Sequence, residues 1–295
     1  MILSDCFCGI NNVLLNRKIY AYVVTLVMRF GPAGYPPSSK NPEDALNIIQ
    51  KMGLDALEME FVRGVKMSEA KARDIGKMAA YRDIRLSAHA PYYVSFNSDN
   101  DETRKKSIDW VMDTVRVAHY LGAYIIVIHA ASYGKMPETA TDSVITGLIK
   151  CREIMDDEGI TDVILGVETM GKTGTWGTLK EISQVMDNVP ETHPVLDVAH
   201  VHARYQGGLR TEKDMQGLID EFFALSGDIA HFHISCIKYG DKGEISHLPL
   251  NEKEPDMSLL ANVLSECNKD CTFICESPLQ ERDAVVFKDM FSHHS

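Results

Sequence analysis

The sequence has few of the features that mark a specialised chain. Its longest apolar run, Ile19–Met28, is about half the length a membrane-spanning helix needs. Positive charge is short: 30 Lys and Arg face 42 Asp and Glu, a formal net charge of −12. Such a chain does not bind polyanions by bulk charge, so any nucleic-acid contact needs bound cations or a local basic rim. A disulfide framework is also missing. The 7 Cys are odd in number and scattered, as Cys6, Cys8, Cys151, Cys236, Cys267, Cys271 and Cys275. Because the end of the Cys267-x3-Cys271-x3-Cys275 run reads as a strand, all are expected as reduced thiols rather than a metal site. No linker-like or low-complexity stretch divides the chain. With 45% hydrophobic and 24% charged residues, what remains is an ordinary globular composition.

Arg17-Lys18 precede the apolar run, as in an export signal, but Arg29-Phe30-Gly31-Pro32 follows in place of a small-residue cleavage site. The expected location is therefore the cytoplasm, without membrane attachment. Residues 1–27 form no unit that the later pattern requires. They are expected to be an N-terminal extension arising from a misplaced gene start, with translation beginning at Met28 and residues 28–295 forming one domain.

From Met28 onward, β-rich runs alternate with amphipathic stretches. Strands are expected at 28–31, 55–59, 84–88, 123–129, 163–168, 193–197, 229–234 and 272–276. Ala123–Ile128 and Val163–Val167 are almost continuously apolar, as strands covered on both faces of a parallel sheet are. Between them, Asn41-Pro42-Glu43-Asp44 and Ser68-Glu69-Ala70-Lys71 open helices, and Thr178 with Glu181 fits a capping box. The longest helix is expected from Asp101 to about Tyr120, with Ile108, Val111, Val115 and Val117 on its apolar face. Eight such units fit a closed (β/α)8 TIM barrel in a single domain. A doubly wound sheet is the competitor, but Gly31-Pro32-Ala33-Gly34 lacks the glycine-rich phosphate turn usual after its first strand.

A barrel gathers its chemistry at the C-terminal ends of its strands. Here those ends carry His89, His129, Glu168, Asp197 with His200, His233 and Glu276 in succession. The gaps along the strand ends are 40, 39, 29, 36 and 43 residues, each about one strand–helix unit. Singly, a His is a hydrogen-bonded structural residue and an acid a helix cap. Gathered at one mouth, these carboxylates and imidazoles would repel or stay unsatisfied without a cation. Imidazole with carboxylate and no thiolate suits zinc, with manganese or iron as alternatives. His231 is assigned to the face opposite His233 and so away from the mouth. His193, His119, His293 and His294 are read as structural or solvated.

These motifs resemble the endonuclease IV family of apurinic/apyrimidinic endonucleases. The matching segments are His89-Ala-Pro-Tyr-Tyr93, Glu168-Thr-Met-Gly-Lys172, Asp197-Val-Ala-His200-Val-His-Ala-Arg204, His231-Phe-His-Ile-Ser235, His247-Leu-Pro-Leu250 and Glu276-Ser-Pro278. Together they run through nearly the whole chain from residue 28. The resemblance implies a trinuclear zinc centre that cuts the phosphodiester 5′ of an abasic site and leaves a 3′-hydroxyl. It gives one metal to His89, His129 and Glu168. Glu168 then bridges to a second, shared with Asp197, His233 and Glu276, and His200 and His247 hold the third. Glu168, holding the nucleophile, and Glu276 become the catalytic carboxylates. Where the family usually has an Asp two residues before the second His, this chain has Ile245; Glu244 is expected to substitute through a small loop shift. The fourth strand continues His129-Ala-Ala-Ser, where the family commonly has Pro and Gly.

The implied partner is double-stranded DNA containing abasic sites, bound by a monomer. By the same resemblance Tyr92 and Tyr93 are wedge candidates and Arg63 fills the gap, although loop packing is an equal explanation for Tyr93. Lys172 and Arg204, with Lys135, Lys238 and Lys242, add basic residues to the mouth loops. The main rival is a metal-dependent sugar isomerase or epimerase of the xylose-isomerase-like barrels. It would use only Glu168, Asp197, His233 and Glu276, and would leave His89, His129, His200 and His247 without a role. A non-cleaving metalloprotein that binds damaged DNA is a further alternative, suggested by the missing Asp.

Overall fold

The helices begin where the sequence places their caps. In the computed structural model, which describes residues 28–292, Asn41 caps α1 (Pro42–Lys51) by accepting from the Asp44 amide, and Ser68 caps α2 (Glu69–Tyr81). Asn100 caps α3 (Asp101–Leu121), which ends at Gly122 in the left-handed conformation. α4 spans Ala140–Asp157, and Thr178 with Glu181 forms the capping box of α5 (Leu179–Met186). The proposed extension 1–27 and His293 and His294 lie outside the described residues. Among the described residues, no helix is long and apolar enough to cross a membrane.

Eight parallel strands build the sheet: β1 (Met28–Pro32), β2 (Ala56–Glu60), β3 (Arg85–His89), β4 (Ile125–Ile128), β5 (Ile164–Glu168), β6 (Thr192–Asp197), β7 (Ile229–Ile234) and β10 (Asp270–Cys275). Their order runs β1-β10-β7-β6-β5-β4-β3-β2. The ends meet through a parallel bridge between Ala33 and Glu58, with the Gly34 amide donating to the Glu58 carbonyl at 2.9 Å. The chain is therefore a single (β/α)8 TIM barrel, as its alternating pattern predicts. Closure depends on Gly31, where an added Cβ would lie 1.8 Å from the Ala56 carbonyl oxygen.

Two features were not read from the sequence. A short helix, α6 (Val198–Arg204), follows β6 directly, with Asp197 as its cap. An antiparallel hairpin of β8 (Cys236–Gly240) and β9 (Gly243–Leu248) rises from the end of β7 before α8 (Met257–Leu264). Helices α7 (Glu212–Ser226) and α9 (Glu281–Ser292) complete the outer layer.

At the opposite end from the mouth, Arg85 opens β3 and makes paired contacts of 2.6 and 2.8 Å to Asp270, which opens β10. Its guanidinium also lies 5.4 Å from the Tyr124 ring centre. This half-buried pair ties strands far apart in the chain. Arg85→Ala is expected to cost about 2 kcal/mol, because it strands a charged acceptor. A shift in the urea midpoint at unchanged slope measures that loss.

Candidate metal centre

Ligand-type side chains converge at the C-terminal ends of β3 to β7 and β10. Glu168, the last residue of β5, is the hub. Its Oε2 lies 2.6 Å from His129 Nε2 and 3.4 Å from His89 Nε2. Its Oε1 lies 3.2 Å from His200 Nδ1 and 3.3 Å from His233 Nδ1. His233 Nδ1 is also 3.3 Å from Glu276. Three sets bring ligand atoms within 4.8 Å of one another here: His89, His129 and Glu168; Glu168, Asp197, His233 and Glu276; and Asp197, His200 and His247.

The polar bookkeeping of this cluster fits cations. Both oxygens of Glu168, Oδ2 of Asp197 and both ring nitrogens of His233 are buried without an aligned hydrogen-bond partner. Unpartnered buried charge is costly, and metal ions relieve it. The rings are also aimed. His89 Nδ1 is tied to the Ala90 carbonyl at 2.6 Å, His200 Nδ1 to the Thr169 carbonyl at 2.9 Å, and His247 Nδ1 to Ser235 Oγ at 2.6 Å. Each tie leaves the Nε2 lone pair facing the cluster, the outer-partner arrangement of ligating imidazoles.

Glu244 and Ile245 are sorted by a bulge. Lys238 pairs with Ser246 but Tyr239 pairs with Glu244, so Ile245 is the extra residue of β9 and is 58% exposed. The skip turns Glu244 to the side of His247, and its Oε2 reaches within 3.4 Å of His200 Nε2. Gly171 leaves room for this approach, since a Cβ there would meet Glu244 and His200 at 2.8 and 2.9 Å.

Burial opposes ionisation of Glu168, yet His129 and His233 hold its carboxyl well below the usual range. Asp197 is pushed up to about 6 by burial. Burial disfavours a charged His89, but Glu168, Glu60 and Glu58 raise it to about 9; His200 and His233 are likewise raised by the carboxylates. Without metal, protons thus stand in for cations. A raised imidazole stabilises the fold fully below its unfolded value near 6.5, and this contribution fades as pH climbs through about 9. The metal-free protein is therefore expected to lose stability from about pH 6.5 to 9. Metal loading at pH 7.5 should reverse the loss and release protons, which an indicator-dye titration records.

Above the ligands opens a cavity of about 580 Å³ whose wall includes Tyr92, Tyr93, Lys172, His200, Glu244 and Glu276. Tyr92 is 54% exposed and stacks on His129 with ring centres 5.3 Å apart. Tyr93 packs edge-on against Trp110 at 4.3 Å, the loop-packing arrangement. Arg63 is exposed in the turn after β2, whose Val62 carbonyl accepts from the Tyr92 amide at 3.4 Å, and Lys172 is exposed on the cavity wall. Arg204, expected to contact DNA, has its guanidinium engaged elsewhere. It donates to the carbonyls of Lys172 and Thr175 at 2.7 and 2.8 Å and to the Tyr133 hydroxyl, pinning the loop after β5.

The expectation for His231 requires correction. Residues two apart in a strand share a face, so His231 and His233 both point into the barrel. Both reach Glu58, at 3.2 and 3.0 Å. Glu58 and Glu60 were missed altogether, and burial raises Glu60 to about 8. Their signal was available as acids at alternate positions of an apolar strand, Leu57-Glu58-Met59-Glu60. Of the described cysteines all are free, and Cys267 and Cys271 have their sulfurs 3.7 Å apart.

With this geometry in place, the likeness to known proteins becomes interpretable. An uncharacterized protein of Methanocaldococcus jannaschii is 32% identical over 284 residues, covering 94% of this chain and 99% of the relative. A probable endonuclease 4 of Alkaliphilus oremlandii is 26% identical over 195 residues, covering 60% and 66%. The solved structure of endonuclease IV from Thermus thermophilus superposes with a TM-score of 0.70 at 21% identity, covering 90% of this chain and 99% of its own. A D-tagatose 3-epimerase-like protein superposes equally well, at 0.70 and 20% identity, covering 90% and 97%. At those identities the structural likeness is one of fold. Residues 46–289 match the family described as the xylose isomerase-like TIM barrel, and the chain belongs to that family.

Proposed function

We propose that the protein is a metal-dependent phosphodiesterase of the endonuclease IV type, cutting duplex DNA 5′ of an abasic site and leaving a 3′-hydroxyl. One observation carries this reading. His89 and His129 form a ligand set with Glu168 that is separate from the set of Glu168, Asp197, His233 and Glu276. A single-metal proton-transfer enzyme needs only the second set. His200, His247 and Glu244 extend the centre toward a third position.

Zinc fits the nitrogen and oxygen donors best, with manganese or iron as alternatives. Cations held here would acidify water and neutralise phosphodiester charge. The protein's own part is to aim the donors. Glu168 presents one oxygen to the His89 and His129 side and the other to His233, so it can bridge two positions. Tyr92 offers an exposed ring beside the centre on which a displaced base or sugar can rest. Lys172 and the Lys242 end of the hairpin supply positive charge at the rim; the Thr173 amide bonds the Lys242 carbonyl at 3.1 Å and joins the two loops. Arg204 serves by holding that rim in shape. The protein is taken to act in the cytoplasm as a monomer, on residues 28–295.

The rival reading, sugar isomerisation or epimerisation, is favoured by the epimerase-like fold match and by the complete four-ligand set. A labelled duplex with one synthetic abasic site separates the two. Incision on the 5′ side with a 3′-hydroxyl end is expected. A metal-loaded protein that leaves the duplex intact and interconverts small ketoses would overturn the nuclease reading.

A further inference from the structure

The imidazoles of the centre share a pattern that one ring breaks. His89, His200 and His247 each anchor Nδ1 and turn Nε2 inward. His233 does the reverse: Nδ1 faces Glu168 and Glu276, and Nε2 points down into the barrel. The polar atom beside that Nε2 is Oε1 of Glu58, at 3.0 Å; both atoms are buried, and neither has an aligned hydrogen-bond partner.

We propose that Glu58 is the positioning residue of His233, holding its Nε2–H so that Nδ1 is the nitrogen offered to a metal. The proposal rests on the metal-centre reading above and adds a residue to it. Glu58 is itself fixed from below. Ser87 donates to its Oε2 at 2.7 Å, and His231 Nε2 lies 3.2 Å from the same oxygen. The Tyr124 hydroxyl lies 2.6 Å from His231 Nδ1. The proton directions are then consistent along the chain. Tyr124 donates to His231, His231 and Ser87 donate to Oε2 of Glu58, and the carboxylate, which only accepts, keeps Oε1 turned to His233 Nε2. Every member is buried in the barrel interior except the half-buried Tyr124. Because Glu58 Oε2 and both nitrogens of His231 are already engaged, this cluster reads as a support for the mouth and not as a metal site of its own. Such outer carboxylates fix ring orientation and raise ligand basicity, and their loss typically weakens metal binding about 10–100-fold.

The test uses the full chain and cobalt(II) as a spectroscopic probe. Metal affinity is measured by chelator competition, and the visible ligand-field bands report ligand geometry. Glu58→Ala is expected to bind cobalt about 10–100-fold more weakly with altered bands. Glu58→Gln, which keeps an acceptor but loses the charge, should fall between it and the parent. Wild-type affinity and bands in Glu58→Ala would overturn the positioning role. Should that variant fail to fold, Glu58→Gln decides: a fall in affinity with shifted bands supports the role, and a parent-like titration overturns it. A parent chain that takes up no cobalt removes the metal-centre reading instead, so the two failures are told apart.

Discussion

Glu168→Ala is expected to lower abasic-site incision about a thousandfold or more, equivalent to roughly 4 kcal/mol of barrier, and to lower bound metal in the same preparation. The size follows from its position. Its two oxygens face His89 and His129 on one side and His200 and His233 on the other, all within 3.4 Å. No other side chain is shared by the two ligand sets. Removing it would leave buried imidazoles facing one another without the carboxylate that reconciles them. Folding should survive better than function, because metal-site carboxylates sit at the barrel's end and not in its packed layers. Circular dichroism of the variant beside its incision rate checks both halves, and near-normal incision would defeat the bridging role.

The second large effect is on the fold. Gly31→Ala should destabilise the barrel by about 3 kcal/mol or more, since overpacking normally costs 1–3 kcal/mol and here the clash is with backbone. The new Cβ would sit 1.8 Å from the Ala56 oxygen and 2.2 Å from its carbon, leaving no flexible group to move aside. β1 and β2 are where the sheet closes on itself. Separating them would open the seam between Ala33 and Glu58 and disturb the interior carboxylate. Thermal unfolding should drop by about 6 °C or more. A parent-like melting curve would mean that the seam is looser than described.

Much of this organisation was legible in the sequence because its signals are local. Apolar runs located the strands to within one or two residues, and Asn41, Ser68 and Thr178 marked helix starts by capping chemistry that needs no tertiary context. Strand-end ligands could be listed because a barrel converts sequence period into spatial convergence. What escaped depends on pairing. The β8–β9 hairpin hides because its strands mix buried Cys236 and Ile237 with exposed Lys238, Ile245 and Ser246, so they lack a continuous apolar pattern. The side chosen by Glu244 is set by a bulge, a register event that the sequence alone does not display. Arg204 looked like a free basic residue because carbonyl acceptors carry no residue identity. His231 belongs with His233, because a strand period of two sends both side chains to Glu58 inside the barrel.

The decisive measurement couples metal content to incision. Protein stripped by a chelator is titrated with zinc in steps, and at each step bound metal per chain and 5′ incision of an abasic duplex are determined. Activity should be absent from the stripped protein and should rise only as the bridged pair fills, returning to that of the untreated chain. Undiminished incision by stripped protein, or a fully loaded protein that never cuts, would contradict a metal-dependent nuclease at this barrel mouth.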